Sequence, residues 1–350
     1  MIGVAGTVSK GFMAESIGAS FQRDYYFDLE CRHETDTRCQ LHLDEALCGL
    51  GLLFTESNLG RQAFWLPDQV LVGGIQPNMI VGMLLGAEFA PSACMDADIS
   101  LTPLAGADPD DLPSVESLLR HELIDLFDGQ YRAVQRAGKL APVPPFFWDS
   151  SGRAAVHGPV TTALKLVGES ILIDMATDPG RSQAVLDWIT DVSIALVRHF
   201  ALLAERPIDE VHVGECSGCM ISPDMYERLV VPQFSRIGRE LGPVRWHSCG
   251  ASDHLLEAAQ QIENISALDL GGDTSIAQVR EVFGREFPVC VAPLVDDLRA
   301  DDSRGLLDWA DGVLDANAGG PLTIGYHLES GYPLDSLRRL HERVLDATAK

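Results

Sequence analysis

A histidine and a cysteine one residue apart, in the last third of the chain, are the first groups that could carry chemistry. His247 and Cys249 lie in the stretch 243–250, which has the composition of a short strand that stops at Gly250. Side chains alternate between the two faces of a strand, so both project the same way. An imidazole and a thiol on one face are ligands for a borderline cation, zinc first. The alternative is a half-buried histidine beside a small buried cysteine.

Strands alternate with helices through the part of the chain that surrounds this pair. The predicted strands are 154–157, 210–214, 244–249, 265–270, 289–292 and 322–325. The predicted helices are 160–167, 181–205, 223–242, 252–262, 275–283, 305–317 and 334–349. Alternation of this kind indicates parallel strands joined by right-handed crossovers. Five strands after residue 205, with about three before it, fit an α/β fold of the (β/α)8 TIM-barrel type better than an open sheet.

The start of the chain lacks this regular alternation. We predict a single domain over 1–350, in which residues 1–75 form an irregular and helical N-terminal extension. Residues 1–40 show no clean period, and a helix is expected over about 31–50. A short buried helix at 77–86, a strand near 87–91 and one amphipathic helix over 114–138 should follow.

Composition and charge narrow the classes of function. Of 350 residues, 46% are apolar and 22% charged, which is typical of a globular enzyme. The formal charge of −25 argues against nucleic acid or an anionic membrane surface as a partner. Eight scattered cysteines do not resemble a secreted disulfide framework, and neither a signal peptide nor a membrane span is visible. We therefore expect a reduced, cytoplasmic protein.

In a barrel, the active site lies at the carboxyl ends of the strands. Soft and acidic ligand types are concentrated after the predicted strands: His157, Glu215, Cys216, Cys219, His247, Cys249, Asp269, Asp273, Cys290, Asp296, Asp297, Tyr326, His327 and Glu329. This concentration predicts a functional site at that end, whatever family the chain belongs to.

Three of the candidates have a functional and a structural interpretation. Glu215 is either an added metal ligand or proton acceptor, or a salt-bridged loop acid. Arg245 shares a face with His247 and Cys249, and it either meets a substrate carboxylate or pairs with an acid inside the barrel. His157 either contacts the substrate or has a structural role.

The remaining candidates are also open to two interpretations. Asp269 and Asp273 either orient a metal-bound histidine or cap the helix that starts near residue 275. Cys216 and Cys219 form a Cys-x-x-Cys pair without the helix-start setting of a redox motif. Four aromatic residues either line a pocket mouth or belong to the core: Trp65, Phe146, Phe147 and Trp148.

Several motifs resemble those of the uroporphyrinogen decarboxylase superfamily over most of residues 75–345. They are Gly158-Pro159, Asp178-Pro179, Ser222-Pro223-Asp224-Met225-Tyr226, and His247-x-Cys249-Gly250 followed by His254-Leu255-Leu256. That superfamily is a (β/α)8 barrel. It contains porphyrinogen decarboxylases as well as zinc methyltransferases that move a methyl group between a corrinoid and a thiol such as coenzyme M.

The two branches of the superfamily imply different residues. Decarboxylases carry an N-terminal motif of the Arg-Gln-Ala-Gly-Arg type that grips substrate carboxylates. Here Arg61-Gln62-Ala63 is followed by Phe64-Trp65, and the second arginine is absent. Methyltransferases use His-x-Cys together with a distant cysteine on the last strand.

His247 and Cys249 match the first two positions of the methyltransferase pattern, and the third falls at about Tyr326-His327. The resemblance therefore implies zinc on His247, Cys249 and His327. The other candidates for the third position are Cys290, Cys219 and Glu215.

The function that the resemblance implies is a zinc-dependent methyltransferase. It would move a methyl group between a corrinoid, or a methylated small molecule, and a thiol-type acceptor, with Zn²⁺ as cofactor and methyl-corrinoid as co-substrate. Glu215 and His327 would be catalytic, while Arg245, Tyr326 and His157 would contact the substrate. A corrinoid protein and a second copy of the chain are candidate partners.

Two alternative functions stay open. One is a metal-free decarboxylase or lyase that acts on a small carboxylated substrate, with His327 and an aspartate moving protons. The other is a non-catalytic barrel that binds a corrinoid or a metal.

Overall fold

The computed structural model describes residues 2–48, 68–100 and 102–348. The motif at Arg61-Gln62-Ala63 and the aromatic Trp65 lie outside the described residues. The strands are β1 Ile2–Val8, β2 Gln69–Leu71, β3 Phe89–Ala90, β4 Asp98–Ile99, β5 Ala141–Val143, β6 Arg153–His157, β7 Glu210–Gly214, β8 Val244–Ser248, β9 Ile265–Leu270, β10 Val289–Val291 and β11 Leu322–Leu328.

Helices fill the connections between the strands. They are α1 Lys10–Ile17, α2 Arg23–Phe27, α3 Leu29–Cys48, α4 Pro77–Leu84, α5 Val115–Leu119, α6 Glu122–Ala137, α7 Pro159–Val167, α8 Ser170–Thr177, α9 Pro179–Ala204, α10 Pro223–Met225, α11 Val231–Glu240, α12 Leu256–Gln260, α13 Ile276–Phe283, α14 Val295–Arg299, α15 Arg304–Ala316 and α16 Leu334–Thr348. Short 3-10 helices span Pro109–Asp111, Cys216–Met220 and Asp253–Leu255. None of the described helices combines the length and apolarity that crossing a bilayer requires.

Seven parallel strands form the main sheet, in the order β1-β11-β10-β9-β8-β7-β6. Two smaller sheets stand beside it: β2 pairs with β5 in parallel, and β3 pairs with β4 antiparallel. Parallel strands are buried on both faces because helices cover the connections. The outward face is accordingly apolar and dry, as with Val213 and Leu268 at 0% exposure.

The sheet curls around a common interior. Residues that share the inward face, from Ala5 and Thr7 on β1 through Cys290 on β10 to His212 on β7, line one cavity although their strands are far apart in the sheet order. A flat sheet could not bring its two ends to one cavity. The predicted α/β barrel is therefore confirmed, with seven strands in the continuous ladder of the described residues.

The N-terminus differs from its prediction as an irregular segment. Ile2–Val8 forms β1, which pairs with β11 along seven consecutive residues. Its sequence, Ile-Gly-Val-Ala-Gly-Thr-Val, has two glycines and lacks the apolar run of a buried strand, so periodicity gave no signal. The extent of the domain and of its N-terminal extension remains a prediction.

Two predicted helices are interrupted for local reasons. The helix predicted over 114–138 is split, because His121 adopts an extended backbone and its Nδ1 accepts a hydrogen bond from Leu123 N, which starts α6 anew. In the helix predicted over 223–242, Tyr226–Val230 is a π-helical turn. Pro232 follows it and has no N–H to donate to the carbonyl four residues before.

The first testable prediction concerns the packing of β1. A methyl group on Gly6 would lie 2.4 Å from the ring of Tyr326, whereas one on Gly3 of the same strand would meet nothing within 4 Å. We expect Gly6→Ala to lower the free energy of unfolding by about 1–3 kcal/mol through overpacking. Gly3→Ala, the matched control, should stay within about 0.5 kcal/mol of the parent. Urea unfolding measures both, and equal effects would contradict the position of β1.

Candidate metal centre and active site

Three metal-ligating side chains meet at the carboxyl ends of β7 and β8. The donor atoms of Cys216, His247 and Cys249 all lie within 4.8 Å of one another. The strand register explains the cluster: Gly214 pairs with His247, so the residues two positions further along each chain, Cys216 and Cys249, come side by side. Two sulfurs and an imidazole nitrogen form a donor set that zinc uses in catalytic sites.

A carboxylate lies behind the histidine. Asp269 on β9 is paired with His247 in the ladder, and its Oδ2 is 3.2 Å from His247 Nδ1. Burial lowers the pKa of His247, but the charge of Asp269 outweighs this and raises it to about 10. Burial raises the pKa of Asp269, but the charge of His247 outweighs this effect and holds that pKa below its ordinary value. Nδ1 lies beside this carboxylate, which leaves Nε2 as the nitrogen that can face a cation.

The two thiols of the cluster behave as a pair that shares one proton. The hydrogen bond from Cys216, and after it the one from His247, lowers the pKa of Cys249 to about 4. The same hydrogen bond with Cys249, together with burial, raises the pKa of Cys216 above its ordinary value. The cluster therefore already carries one thiolate at neutral pH, and a thiolate is the form that ligates a metal.

A cavity of about 320 Å³ opens beside the cluster, and His247 and Cys216 form part of its wall. A second cavity of about 240 Å³ on the barrel side shares Trp148, His212 and His247 with it. The volume of the first lies at the low end of the range of small-molecule sites, about 300–1,000 Å³. The cluster thus adjoins a space that a compact molecule could fill.

Two further histidines line the larger cavity. The Nδ1 atoms of His157 and His212 are buried and have no hydrogen-bond partner. Burial, reinforced by the positive charge of His247, lowers the pKa of His157 to about 4 and that of His212 to about 3. Both imidazoles are therefore neutral at pH 7. The ring of His212 lies 5.3 Å from that of His247, and His212, His247 and Asp269 form a second group of close ligand atoms.

An ion pair also lines the larger cavity. Lys10, at the start of α1, is only 9% exposed, and its Nζ lies 2.7 Å from Oδ1 of Asp96. Burial would raise the pKa of Asp96, but the neighbouring ammonium of Lys10 lowers it. The rings of Phe21 and Tyr26 lie about 6 Å from Nζ. This charge is compensated within the protein.

Glu215, a candidate catalytic residue from the sequence, caps a helix. It is fully buried, and its two oxygens accept hydrogen bonds from Val160 N at 2.9 Å, Thr161 N at 2.8 Å and Thr161 Oγ1 at 2.7 Å, at the start of α7. Burial raises its pKa to about 7 against the effect of these donors. Its oxygens are thus occupied by a helix N-terminus, which lacks internal acceptors for its N–H groups.

The structure does not bring His327 to the metal-ligating cluster, although the resemblance implied it as the third ligand. Its Nδ1 is 2.6 Å from Thr7 Oγ1, and its Nε2 is 3.5 Å from Glu329 Oε1. Cys216 lies beside His247 and Cys249 instead, because β7 is the direct neighbour of β8 and the last strand is not. His327 does line the smaller cavity.

Two predicted substrate contacts are engaged elsewhere. Arg245 lies deeper in the barrel, with its Nε 3.1 Å from Glu210 Oε2, which is the structural pair that the sequence left open. The Tyr326 hydroxyl lies 2.9 Å from Nε2 of His341 on α16, so the ring is on the outward face of β11. His157, the third predicted contact, does line the cavity.

The remaining candidates lie outside the cluster of Cys216, His247 and Cys249. Cys219 Sγ donates to the Cys216 carbonyl at 3.0 Å and lies outside the three-residue cluster. Cys290 is a buried thiol whose pKa is raised by burial. Asp273 is exposed, and Ser275 caps α13. The described aromatic residues of the predicted mouth all line the larger cavity: Phe146, Phe147 and Trp148.

Sequence reasoning missed three residues of this site. Cys216 was listed among the strand-end ligand types and as half of a Cys-x-x-Cys pair but not as a partner of His247, because the pairing of Gly214 with His247, two residues before each cysteine, is not visible in the sequence. His212 alternates with the apolar Val211 and Val213, a period-two pattern that marks an inward polar side chain. Lys10 was not recognised as a residue of the site, because the strand β1 that precedes it was not predicted.

Comparisons with known proteins find one family match and similar folds. Residues 153–290 match the family model for uroporphyrinogen decarboxylase (URO-D). The fold is similar to that of a methyltransferase from Methanosarcina mazei, at 15% identity and a TM-score of 0.66, covering 98% of this chain and 93% of that one. A B12-independent methionine synthase from Shewanella sp. W3-18-1, in complex with selenomethionine, is similar at 10% identity and a TM-score of 0.49, with coverage of 100% and 96%. No curated protein sequence matches the chain.

The second testable prediction separates helix capping from catalysis at Glu215. Glu215→Ala leaves the buried N–H groups of Val160 and Thr161 without an acceptor, so we expect a loss of about 1–3 kcal/mol in the free energy of unfolding. The exposed Glu227 provides the control, and Glu227→Ala should change stability by less than about 0.5 kcal/mol. Urea unfolding is the measurement, with bound metal determined in parallel. Unchanged stability together with lost metal would contradict the capping role.

Proposed function

We propose that this chain, whose residues 153–290 match the family model for uroporphyrinogen decarboxylase, is a zinc-dependent methyltransferase that moves a methyl group between a corrinoid and a thiol. One observation carries the proposal: the donor atoms of Cys216, His247 and Cys249 converge within 4.8 Å at the mouth of the barrel. Three protein ligands and one remaining position are the arrangement of a catalytic zinc site.

The chemistry of the three residues fits zinc. Two sulfurs and one imidazole suit a borderline cation better than the oxygen-seeking Mg²⁺ or Ca²⁺. Asp269, at 3.2 Å from His247 Nδ1, would hold the imidazole in the tautomer that ligates through Nε2. The low pKa of Cys249 means that its sulfur needs little help to ionise.

Bound zinc would supply Lewis acidity, which lowers the pKa of a thiol at the remaining coordination position. Cys249, one of the proposed zinc ligands, is exposed, so a thiol can reach the metal from the mouth. His157 and His212 offer unpartnered nitrogens inside the cavity, which would bind and orient that thiol. In the transfer, the thiolate sulfur forms a bond to the methyl carbon. The bond between carbon and cobalt breaks, and its electron pair stays on the cobalt of the corrinoid.

The volume of the larger cavity supports separate binding places for the thiol and the corrinoid. About 320 Å³ matches a compact thiol, so the corrinoid would approach at the mouth, carried by a partner protein. The corrinoid protein, a homodimer and a cytoplasmic location remain predictions.

The two alternatives differ from this proposal in what they require. A metal-free decarboxylase needs a cation for the substrate carboxylate, and of the described residues near the cavities Arg245 is engaged by Glu210 and Lys10 by Asp96. A non-catalytic barrel would hold the metal without turnover. A measurement of bound metal distinguishes the metal-free decarboxylase from the proposed methyltransferase. A measurement of turnover distinguishes the non-catalytic barrel from it.

The third testable prediction concerns metal content. Cys216→Ala, His247→Ala and Cys249→Ala should each remove stoichiometric zinc from the purified protein, because each deletes one of three ligands. Cys219→Ala is the matched control, since this thiol lies in the same 3-10 helix but outside the cluster, and it should retain zinc as the parent does. His327→Ala should retain zinc as well. Elemental analysis measures each variant.

Turnover is measured with methyl-corrinoid and a panel of thiols. The parent should demethylate the corrinoid in a reaction that depends on both zinc and thiol, and the three ligand variants should not. Zinc loss in the His327 variant with retention in the Cys216 variant would refute the ligand assignment. A zinc-loaded parent without turnover would refute the methyltransferase.

A further inference from the structure

We propose that Cys216 and Cys249 form a reversible disulfide when the chain meets an oxidant, and that this disulfide and a bound cation exclude each other. The exclusion rests on the proposed function, because it makes oxidation a regulator of the same site. The disulfide itself depends only on the positions of the two sulfurs and of the backbone that carries them.

The two sulfurs already lie close together. The donor atoms of Cys216, His247 and Cys249 are all within 4.8 Å of one another. A disulfide bond is about 2.05 Å long, so the two sulfurs have to approach by at most about 3 Å. Rotation about the Cα–Cβ bond moves a cysteine sulfur between staggered positions that are themselves about 3 Å apart. A change of side-chain rotamer is therefore enough to bring the sulfurs together.

The backbone on both sides of the pair is held in place. Glu215 N donates to the His247 carbonyl at 2.8 Å, and Gly271 N donates to the Ser248 carbonyl at 2.9 Å, so the ladder continues to the residues beside both cysteines. A methyl group on Gly271 would lie only 2.1 Å from the Cys249 carbonyl oxygen, which shows how closely the neighbouring strand packs there. Formation of the disulfide is consequently a local change that leaves the barrel folded.

The two cysteines differ in exposure, which assigns each of them a step. Cys249 is exposed and Cys216 is half-buried behind it, so an oxidant reaches Cys249 first. With hydrogen peroxide, the Cys249 sulfur attacks one peroxide oxygen, the O–O bond breaks, and a sulfenic acid and one water form. The Cys216 sulfur then attacks the sulfenic sulfur, and the S–O bond breaks to release a second water. The two thiols lose two electrons and the peroxide is reduced to two waters.

The disulfide would remove two of the three proposed metal ligands. The thiolate is the form of cysteine that ligates a metal, and neither sulfur of a disulfide is a thiolate. His247 alone would remain of the cluster. A cation that binds only the dithiol stabilises the dithiol by mass action, so metal binding should protect the pair from oxidation.

Cys219 is the competing thiol. It follows Cys216 by three residues in the same 3-10 helix, where side chains at this spacing lie over each other. Its Sγ, however, donates to the Cys216 carbonyl at 3.0 Å, and it does not belong to the group of donor atoms that includes Cys249. We therefore expect Cys216 to pair with Cys249, and Cys219→Ser becomes the matched control.

The fourth testable prediction locates the disulfide. The reduced, chelator-treated full chain is exposed to hydrogen peroxide, its remaining thiols are alkylated, and its peptides are analysed by mass spectrometry. We expect a link between Cys216 and Cys249 in the parent, an equal yield in Cys219→Ser, and no such link in Cys216→Ser. A link through Cys219, or Cys249 oxidised to a sulfinic acid beside a free Cys216, would overturn the proposal.

Exclusion between disulfide and metal is measured as an equilibrium. The oxidation constant of the pair is determined in glutathione redox buffers, with and without zinc. Free zinc at a hundredfold excess over its Kd for the reduced chain should lower that constant about a hundredfold, because only the dithiol binds the cation. Dithiothreitol should restore zinc binding to the oxidised chain. Equal constants with and without zinc would contradict the exclusion.

The two sets of measurements separate this inference from the proposed function. If the reduced chain binds zinc without turnover, while the disulfide forms and responds to zinc as stated, the proposed function fails and the inference stands. If the zinc-loaded chain transfers methyl groups but oxidation yields no disulfide between Cys216 and Cys249, the inference fails and the proposed function stands.

Discussion

The pairing of β7 with β8 is the constraint on which the site depends. Parallel strands advance together, so the register of Gly214 with His247 fixes which residues meet beyond the ends of both strands. Cys216 and Cys249 are each two residues past that pair, and their sulfurs become neighbours as a result. A slip by one residue would turn His247 to the helix side, where Trp246 is now fully buried. The proximity of Cys216, His247 and Cys249 therefore follows from the register of the barrel.

Two ion pairs lie among the described residues of the barrel interior. Arg245 pairs with Glu210 at the bottom, and His247 pairs with Asp269 above it. A buried ion whose partner is removed costs several kcal/mol, about 3–5 in typical cases. These pairs consequently hold the inward side chains in fixed orientations.

The fold could be read from the sequence because its signals are local. From β6 onward, each strand and helix has its own apolar period and its own Pro, Gly or Ser boundary, as at Ser222-Pro223, and the structure agrees with most predicted bounds. β1 could not be found in this way, because a strand with two glycines is defined by its partner β11 rather than by its composition. The π-helical turn before Pro232 and the break at His121 depend on single hydrogen bonds that a periodic pattern cannot contain.

The candidate site was only partly predictable, because it depends on which strands are neighbours. His247 and Cys249 share one strand, so alternation alone brought them together. Cys216 belongs to the next strand, and its role needed the register of the sheet. The resemblance pointed to His327 instead, because it follows the chain order of a family pattern rather than the spatial order of this barrel. Zinc itself is the proposal that ties these residues together.

X-ray absorption at the zinc edge tests that claim most directly. For the metal-loaded chain, the account predicts two sulfurs at about 2.3 Å and one imidazole nitrogen at about 2.0 Å, with a fourth light atom. Addition of a thiol that the enzyme accepts should replace that light atom by a third sulfur. A shell with fewer than two protein sulfurs, or a fourth position that ignores the thiol, would contradict it.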